Sequence, residues 1–247
     1  MRLFLQILFA ILFFISCRTL QVNQLESIHY ETTKVKDDSL IATIIQPYKN
    51  DMNNKMGETI GYSEIAMTKD QPEGILGNFV ADCLFYMSKI YLGKDSSEVD
   101  MVLLNNGGLR ASLPAGEIKL SNIFELMPFD NQLTIVELSG EQCEKMFLFI
   151  AEKGGVPVSN IQMQIKDGKP DSIFVGRNVF DKNKSYKVLS SDYLIAGGDK
   201  MNFFKEVKNT FPLNVLIRDA IKDYFKLMEE KKIKINPTLD GRISISK

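Results

Sequence analysis

The chain has 247 residues, with 30 Lys+Arg against 31 Asp+Glu and a formal net charge of -1. That balance excludes a whole-chain basic footprint for nucleic acid, and 45% hydrophobic with 25% charged residues excludes a disordered chain. One histidine, His29, excludes a multi-histidine metal centre, and three cysteines exclude a disulfide-dense scaffold or a four-cysteine zinc site.

Met1-Arg2 gives a short positive start, followed by an apolar run from Leu3 to Ser16. As a helix this run spans ~21 Å, short of the ~30 Å hydrocarbon core, so it reads as a secretory leader rather than a membrane span. Phe14-Ile15-Ser16-Cys17 resembles a bacterial lipobox, with Phe14 where Leu is usual. The expectation is an exported bacterial lipoprotein, cleaved before Cys17 and anchored to a membrane by acyl chains there, facing the periplasm or cell surface. An ordinary leader with an incidental cysteine is the alternative. Residues 18–37 are polar and lack periodicity, as a tether would be, and His29 lies in that tether. The folded domain is expected over residues 38–247.

Asp38 or Ser39 can cap a helix from Leu40, whose apolar residues Leu40, Ile41, Ile44, Ile45, Tyr48 and Met52 recur at helical spacing. Pro47 predicts a kink or a division there, and Gly57 an end. Thr59–Met67 reads as a strand. Gly74–Tyr91 is a strong helix with Leu76, Phe79, Val80, Cys83, Leu84 and Met87 on one stripe. Val99–Leu104 is a short buried strand, Glu117–Leu120 another, and Ser121 is expected to cap a helix through Leu126. Leu133–Leu138 alternates as a strand, and Ser139-Gly140 opens a helix from Glu141 to Ala151. Ile161–Ile165, Ile173–Val175 and Tyr186–Ser190 are strands. Phe211–Lys231 is expected to be one long amphipathic helix, and Arg242–Ile245 a closing strand. The mixture predicts a single α+β domain. Cys83 and Cys143 fall on helix stripes and read as core thiols, although a disulfide between them stays open. The lysines between Lys226 and Lys234 read as a solvated helix end.

Three loops carry candidate chemistry. Leu104-Asn105-Asn106-Gly107-Gly108-Leu109-Arg110 follows a strand; its glycines let backbone approach a ligand, and its Arg can grip a phosphate with two parallel bonds. A plain Asn-Gly turn is the other reading. Pro128-Phe129-Asp130-Asn131 places an aromatic in a turn, where core packing and ligand stacking are both open. Tyr193-Leu194-Ile195-Ala196-Gly197-Gly198-Asp199 leads a strand into a glycine turn with a carboxylate.

In this order the elements resemble the C-terminal domain of the 5′-nucleotidase family. The matching residues are Leu76-Gly77-Asn78 with Asp82, Leu104 to Arg110, Pro128 to Asn131, Tyr193 to Asp199, and Gly241-Arg242-Ile243. The resemblance covers about Leu40 to Lys247 and implies that family's mixed α/β fold. It implies Phe129 and Tyr193 against a base, Asp199 on the ribose, Asn105 on the nucleoside and Arg110 on phosphate. Rings suit base stacking, and an acceptor-only carboxylate suits a vicinal diol. The family's metallophosphoesterase domain, which holds two metal ions, has no counterpart here. The resemblance therefore implies no cofactor or metal site and no catalytic residue in this chain, with divalent metals expected only in a metallophosphoesterase partner. The leading expectation is the nucleotide-binding half of a split 5′-nucleotidase; the alternative is a stand-alone nucleotide- or nucleoside-binding lipoprotein without catalysis. Neither involves nucleic acid. Two departures stand out. Lys69-Asp70 occupies the region where some relatives have a second phosphate-binding Arg, and Lys200 follows Gly-Gly-Asp where Gly is usual.

Overall fold

The structure, a computed structural model, describes residues 38–93, 99–207 and 209–246. The leader, Cys17, the tether and His29 lie outside the described residues. The chain divides into two units, residues 1–47 and 48–247. Helix α1 (Ser39–Met56) contains the division. It opens on Asp38, whose carboxylate accepts the amides of Leu40 and Ile41 at 2.9 and 3.3 Å. It runs through Pro47 without a break, and among the described residues none of its side chains is buried.

The second unit is built around a five-stranded sheet. In chain order its elements are β1 (Thr59–Ser63), α2 (Ile75–Leu92), β2 (Met101–Leu103), β3 (Gly116–Lys119), α3 (Leu120–Leu126), β4 (Gln132–Ser139), α4 (Gly140–Glu152), β5 (Val158–Ser159), β6 (Ile161–Lys166), β7 (Lys169–Val175), β8 (Asn178–Val179), β9 (Ser185–Ser191), α5 (Asp192–Ile195), β10 (Thr210–Leu216), α6 (Ile217–Glu230) and β11 (Ile243–Ser246). The central sheet has the order β10-β4-β9-β2-β5. Only β2 and β9 run parallel within it; its other pairs are antiparallel. A second sheet has the order β11-β6-β7-β8, and β1 pairs with β3.

Alternation along the central strands divides the core in two. Val102, Leu133, Ile135 and Leu189 join a cluster with Phe79, Leu84, Ile221 and Phe225 from α2 and α6. Met101, Leu103, Val136 and Val188 face a cluster with Cys143, Met146, Phe147 and Ile150 from α4. The sheet is thus covered on both faces, as side-chain alternation along a strand allows. Cys83 and Cys143 are both free and buried, in opposite clusters, so no disulfide joins them. Burial, then the nearby Asp100, pushes the Cys143 thiol up to about 12. Burial, then Asp82, raises Cys83 in the same direction.

Two expectations are corrected. The segment predicted as one helix from Phe211 is a strand followed by a helix. Pro212 would break a helix interior, but an edge strand tolerates its missing N–H. β10 pairs with β4 at that edge and bulges where Asn214 takes φ 56°. Only from Ile217 does the 3.6-residue stripe begin, with Ala220, Ile221, Phe225 and Met228 buried beside it. Ser121 does not cap α3; the cap is Lys119, two residues earlier, whose amide donates to Asn122 Oδ1 at 2.9 Å. The predicted start of α4 holds: the Ser139 hydroxyl accepts the Gln142 amide, and Gln142 accepts that of Ser139.

The chain end is locked onto α2 by Arg242. Its Nη1 and Nη2 grip both Asp82 oxygens at 2.8 Å. Nε and Nη2 bind Asp240 at 2.9 and 2.7 Å, and Nη1 also reaches the Val158 carbonyl at 2.8 Å. Every N–H of the guanidinium is therefore used. Ser159 adds a bond to Asp82 at 2.6 Å, and Glu73 accepts both Asn78 Nδ2 and the Asp240 amide. Asn78, Asp82 and Arg242, three residues that carried the resemblance, bind one another's neighbourhood rather than line the candidate site.

Candidate functional site

The topology brings three loops to one end of the central sheet. β2 and β9 run parallel, with Met101 beside Val188 and Val102 beside Leu189, so both end on the same side. β4 runs antiparallel to β9, and its second residue, Leu133, pairs with Ser191 at the end of β9. The loop after β2, the turn after β9 and the loop before β4 therefore converge. Crevices beyond the carboxyl ends of parallel strands are recurrent ligand sites.

A cavity of about 330 Å³ opens there, and Asn105, Arg110, Phe129, Tyr193 and Asp199 all line it. All five residues singled out from the sequence are thus brought together. Phe129 and Tyr193 are 48% and 47% exposed, which separates them from both core clusters. The Asp199 carboxylate bridges two of the loops. It accepts the Asn105 amide at 2.5 Å and the Tyr193 hydroxyl at 3.0 Å, one on each oxygen. Arg110 is exposed; its Nη1 reaches the Gly107 carbonyl at 3.4 Å, and among the described residues no carboxylate pairs with it.

Local chemistry explains the turns. A Cβ on Gly198 would lie 2.5 Å from the Tyr193 ring, so only glycine lets that ring fold back over the turn. Asp199 and Lys200 both sit in the left-handed region, with φ 50° and 66°. Lys200 therefore holds a backbone position that glycine would take without strain, at a cost of roughly 1–2 kcal/mol. Lys69 does not line the cavity; its Nζ donates to the Leu109 carbonyl at 2.9 Å, bracing the loop just before Arg110.

Three contributors were not assigned from the sequence. Asn131 lines the cavity, and its place within Pro128–Asn131 was the available signal. Asp192 accepts the amides of Gln132 and Tyr193 at 3.1 and 2.8 Å, joining the start of β4 to the turn after β9. Arg218 opens α6, with a side chain 16% exposed, and pairs with Asp130. Its Nη1 faces the Pro128 and Phe129 carbonyls at 3.4 Å, and its guanidinium lies 4.8 Å from the Phe124 ring centroid. It holds the loop that carries Phe129. Reading residues 211–231 as one helix hid this role, because Arg218 is then a mid-helix residue with no loop to face.

The cavity does not fit a divalent phosphoesterase metal centre: it offers one carboxylate, already accepting two hydrogen bonds, beside amide and phenol groups. Among the described residues no group of three or more His, Cys, Asp or Glu is placed to hold a metal ion.

Comparison with known proteins gives a family and a fold. The family described as 5′-nucleotidase, C-terminal domain, matches residues 55–206. The chain is 25% identical over 223 residues to the trifunctional nucleotide phosphoesterase protein YfkN of Bacillus subtilis, covering 81% of this chain and 14% of that protein. It is 24% identical over 243 residues to a 5′-nucleotidase-related protein of Glossina morsitans morsitans, covering 87% of this chain and 43% of that one. The chain therefore spans less than half the length of these relatives. The 5′-nucleotidase precursor of Thermus thermophilus has the same fold over 84% of this chain and 43% of its own, with a TM-score of 0.70 at 20% identity.

Proposed function

Because the chain belongs to the 5′-nucleotidase C-terminal domain family, we propose that it is the nucleotide-binding, substrate-selecting half of a 5′-nucleotidase whose ester hydrolysis is completed by a separate metallophosphoesterase. The observation that carries this is the convergence of Asn105, Arg110, Phe129, Tyr193 and Asp199 on one cavity. Phe129 and Tyr193 flank a base by stacking, each contributing ~1–3 kcal/mol. An ionised carboxylate has about four acceptor sites. Asp199 uses two of them within the protein, which leaves two for the hydroxyls of a ribose diol. Arg110 supplies a planar fork for phosphate. With His29 as its one imidazole, the chain has no set of ligands for a histidine-bearing two-metal centre, so that centre belongs to the partner.

The test joins calorimetry to a phosphate-release assay. The purified chain should bind adenosine and AMP yet release no phosphate from AMP with added Mg²⁺ or Mn²⁺. Purification of the native protein should recover a metallophosphoesterase, and that mixture should hydrolyse AMP. Metal-dependent hydrolysis by the chain alone, free of contaminating phosphatase, overturns the division of labour. Failure to bind adenosine overturns the base slot.

A further inference from the structure

We propose that helix α1 is a self-association element: its apolar stripe packs antiparallel against the same stripe of a second copy of this chain. The inference goes beyond the nucleotide reading and does not depend on the cavity.

Helices α2, α4 and α6 each bury one face, whereas α1 buries no residue. Leu40, Ile41, Ile44, Ile45, Tyr48 and Met52 share one side of it, each between 51 and 77% exposed. Together they leave roughly 700 Å² in water, above the ~300–600 Å² of a typical monomer's largest apolar patch. Thr43, Gln46, Asn50 and Asn53 lie on the opposite, polar side. A helix of this kind is held by whatever covers its apolar side.

The spacing selects the occupant. Ile41, Ile45, Tyr48 and Met52 follow one another at four, three and four residues, the seam spacing of a two-stranded coil. Run antiparallel, this seam is complementary to itself. Ile45 meets Tyr48 of the second copy, Ile41 meets Met52, and Asp38 meets Lys55. Each layer pairs a branched side chain with a longer one, and each end pairs opposite charges. Asp38 caps the helix through Oδ1, which leaves Oδ2 for that contact. Lys55 holds Asp51 at 2.9 Å and has further N–H groups to offer. A parallel pair sets Asp38 against Asp38 and Lys55 against Lys55, and juxtaposed like charges are costly. Covering both stripes removes roughly 1,400 Å², inside the ~1,200–2,000 Å² of a stable interface. The pairing is isologous, so it closes at two copies. A lipid surface fits less well. Asp38, Lys49, Asp51 and Lys55 balance, so α1 lacks the excess of cations that marks an interfacial helix.

The experiment is cysteine cross-linking of the full chain, in the cells that produce it, with a short permeable bismaleimide. Cys83 and Cys143 are buried, and wild type, which also carries Cys17, sets the background. Ile45→Cys should give a covalent dimer at twice the chain's mass, several-fold above wild type and above Asn53→Cys on the polar side. Ile41→Cys alone should give little, because antiparallel pairing separates its two copies by ~16 Å along the axis. Chains bearing Ile41→Cys and Met52→Cys, produced together, should link. Adding Tyr48→Glu to Ile45→Cys places a charge in the central layer and should cut the dimer roughly tenfold at an unchanged level of the chain. Absence of a dimer from Ile45→Cys, or equal linking from Asn53→Cys, overturns the proposal. So does linking of Ile45→Cys mainly to a different protein, which makes the stripe a docking face for another partner. An Ile45→Cys thiol that phosphatidylcholine vesicles shield from maleimide, in a chain that forms no dimer, makes α1 a lipid-facing helix and overturns it too. Self-linking of Ile41→Cys as strong as that of Ile45→Cys refutes the antiparallel register.

Discussion

Arg242 and Asp199 both organise chain segments far apart in sequence, and the two regions do so in opposite ways. At Arg242 the charged group is the buried one, 10% exposed, and every donor is spent on protein acceptors. At Asp199 the charged group is exposed, each oxygen holds one protein donor, and two aromatics stand half in solvent beside it. A saturated, buried network fixes a fold because any loss leaves an uncompensated polar group. An unsaturated, exposed one can exchange partners with a ligand. Within one family resemblance, motif residues therefore divide into those that lock the chain and those that face a cavity.

The largest expected effect breaks the lock. Arg242→Ala strands Asp82, Asp240 and the Val158 carbonyl without their shared donor. Removing one partner of a fully buried pair costs roughly 3–5 kcal/mol; Asp82 and Asp240 are each half exposed, so about 2 kcal/mol is expected. At ~2–4 °C per kcal/mol for a domain of this size, thermal melting should fall by roughly 4–8 °C. Adenosine affinity of the folded fraction should stay within twofold. A large affinity loss with an unchanged melt would merge the two regions and refute the distinction.

The reverse pattern is expected in the cavity. Phe129→Ala and Tyr193→Ala should each weaken adenosine and AMP alike by about tenfold to a hundredfold, since stacking is worth ~1–3 kcal/mol per base. Melting should barely move, because substitutions at exposed positions usually stay within ~0.5 kcal/mol. Calorimetry paired with thermal melts reads both. Between these extremes lies Arg218, which belongs to the fold by burial and to the site by what it holds. Arg218→Ala should lower adenosine affinity about three- to tenfold by freeing the Phe129 loop, and Arg218→Lys should recover part of it, because a lysine keeps the charge opposite Asp130 but not the fork toward the two carbonyls. Equal losses for Ala and Lys, with no change in melting, would count against a positioning role.

The sequence revealed the site better than it revealed the scaffold around it. Phe129 stood out as an aromatic in a Pro-Phe-Asp-Asn turn and Tyr193 and Asp199 as the ends of a glycine turn, local signals that left core packing open for Phe129; the resemblance supplied their expected roles. Ser139 was equally legible, because a Ser-Gly start is a capping cue within a few residues; its partner Gln142 was not read from the sequence. Edge strands were the failure. Residues 211–216 mix apolar spacing with Pro212, and only pairing with β4 decides that they extend rather than coil. Tertiary pairing overrides propensity in such segments, and with β10 misread, Arg218 lost its loop. Asp82 and Arg242 were visible as motif members, but their meeting across 160 positions was not, because nothing local to either residue names the other.

The smallest effect sharpens the comparison through pH. Hydrogen bonding to Arg242 is the main reason that the Asp240 carboxyl sits below its ordinary value; partial burial opposes it, and Arg242's charge and Glu73 add to the lowering. Arg242 itself is moved the other way: burial disfavours its charge, but the bonds and fields of Asp82 and Asp240 outweigh that and raise it. Arg242 therefore stays charged throughout the acid range, and the lowered Asp240 carboxyl links the stability of the network to pH. A carboxyl whose folded pKa is depressed contributes stability that is complete above its unfolded value, about 3.9. As pH falls below that value the unfolded state takes up the proton first, and the contribution is lost by the time pH passes the folded value. The stability gap between wild type and Asp240→Asn, measured by urea unfolding, should stay constant from pH 7 to about 5 and narrow below about 4. The narrowing is modest because the carboxylate is half exposed and solvent screens the pair. Taking the difference cancels the other carboxylates, which titrate in both proteins. A gap that widened on acidification would mean that Asp240 is destabilised in the folded chain, and the saturated network at Arg242 would then not be the lock described.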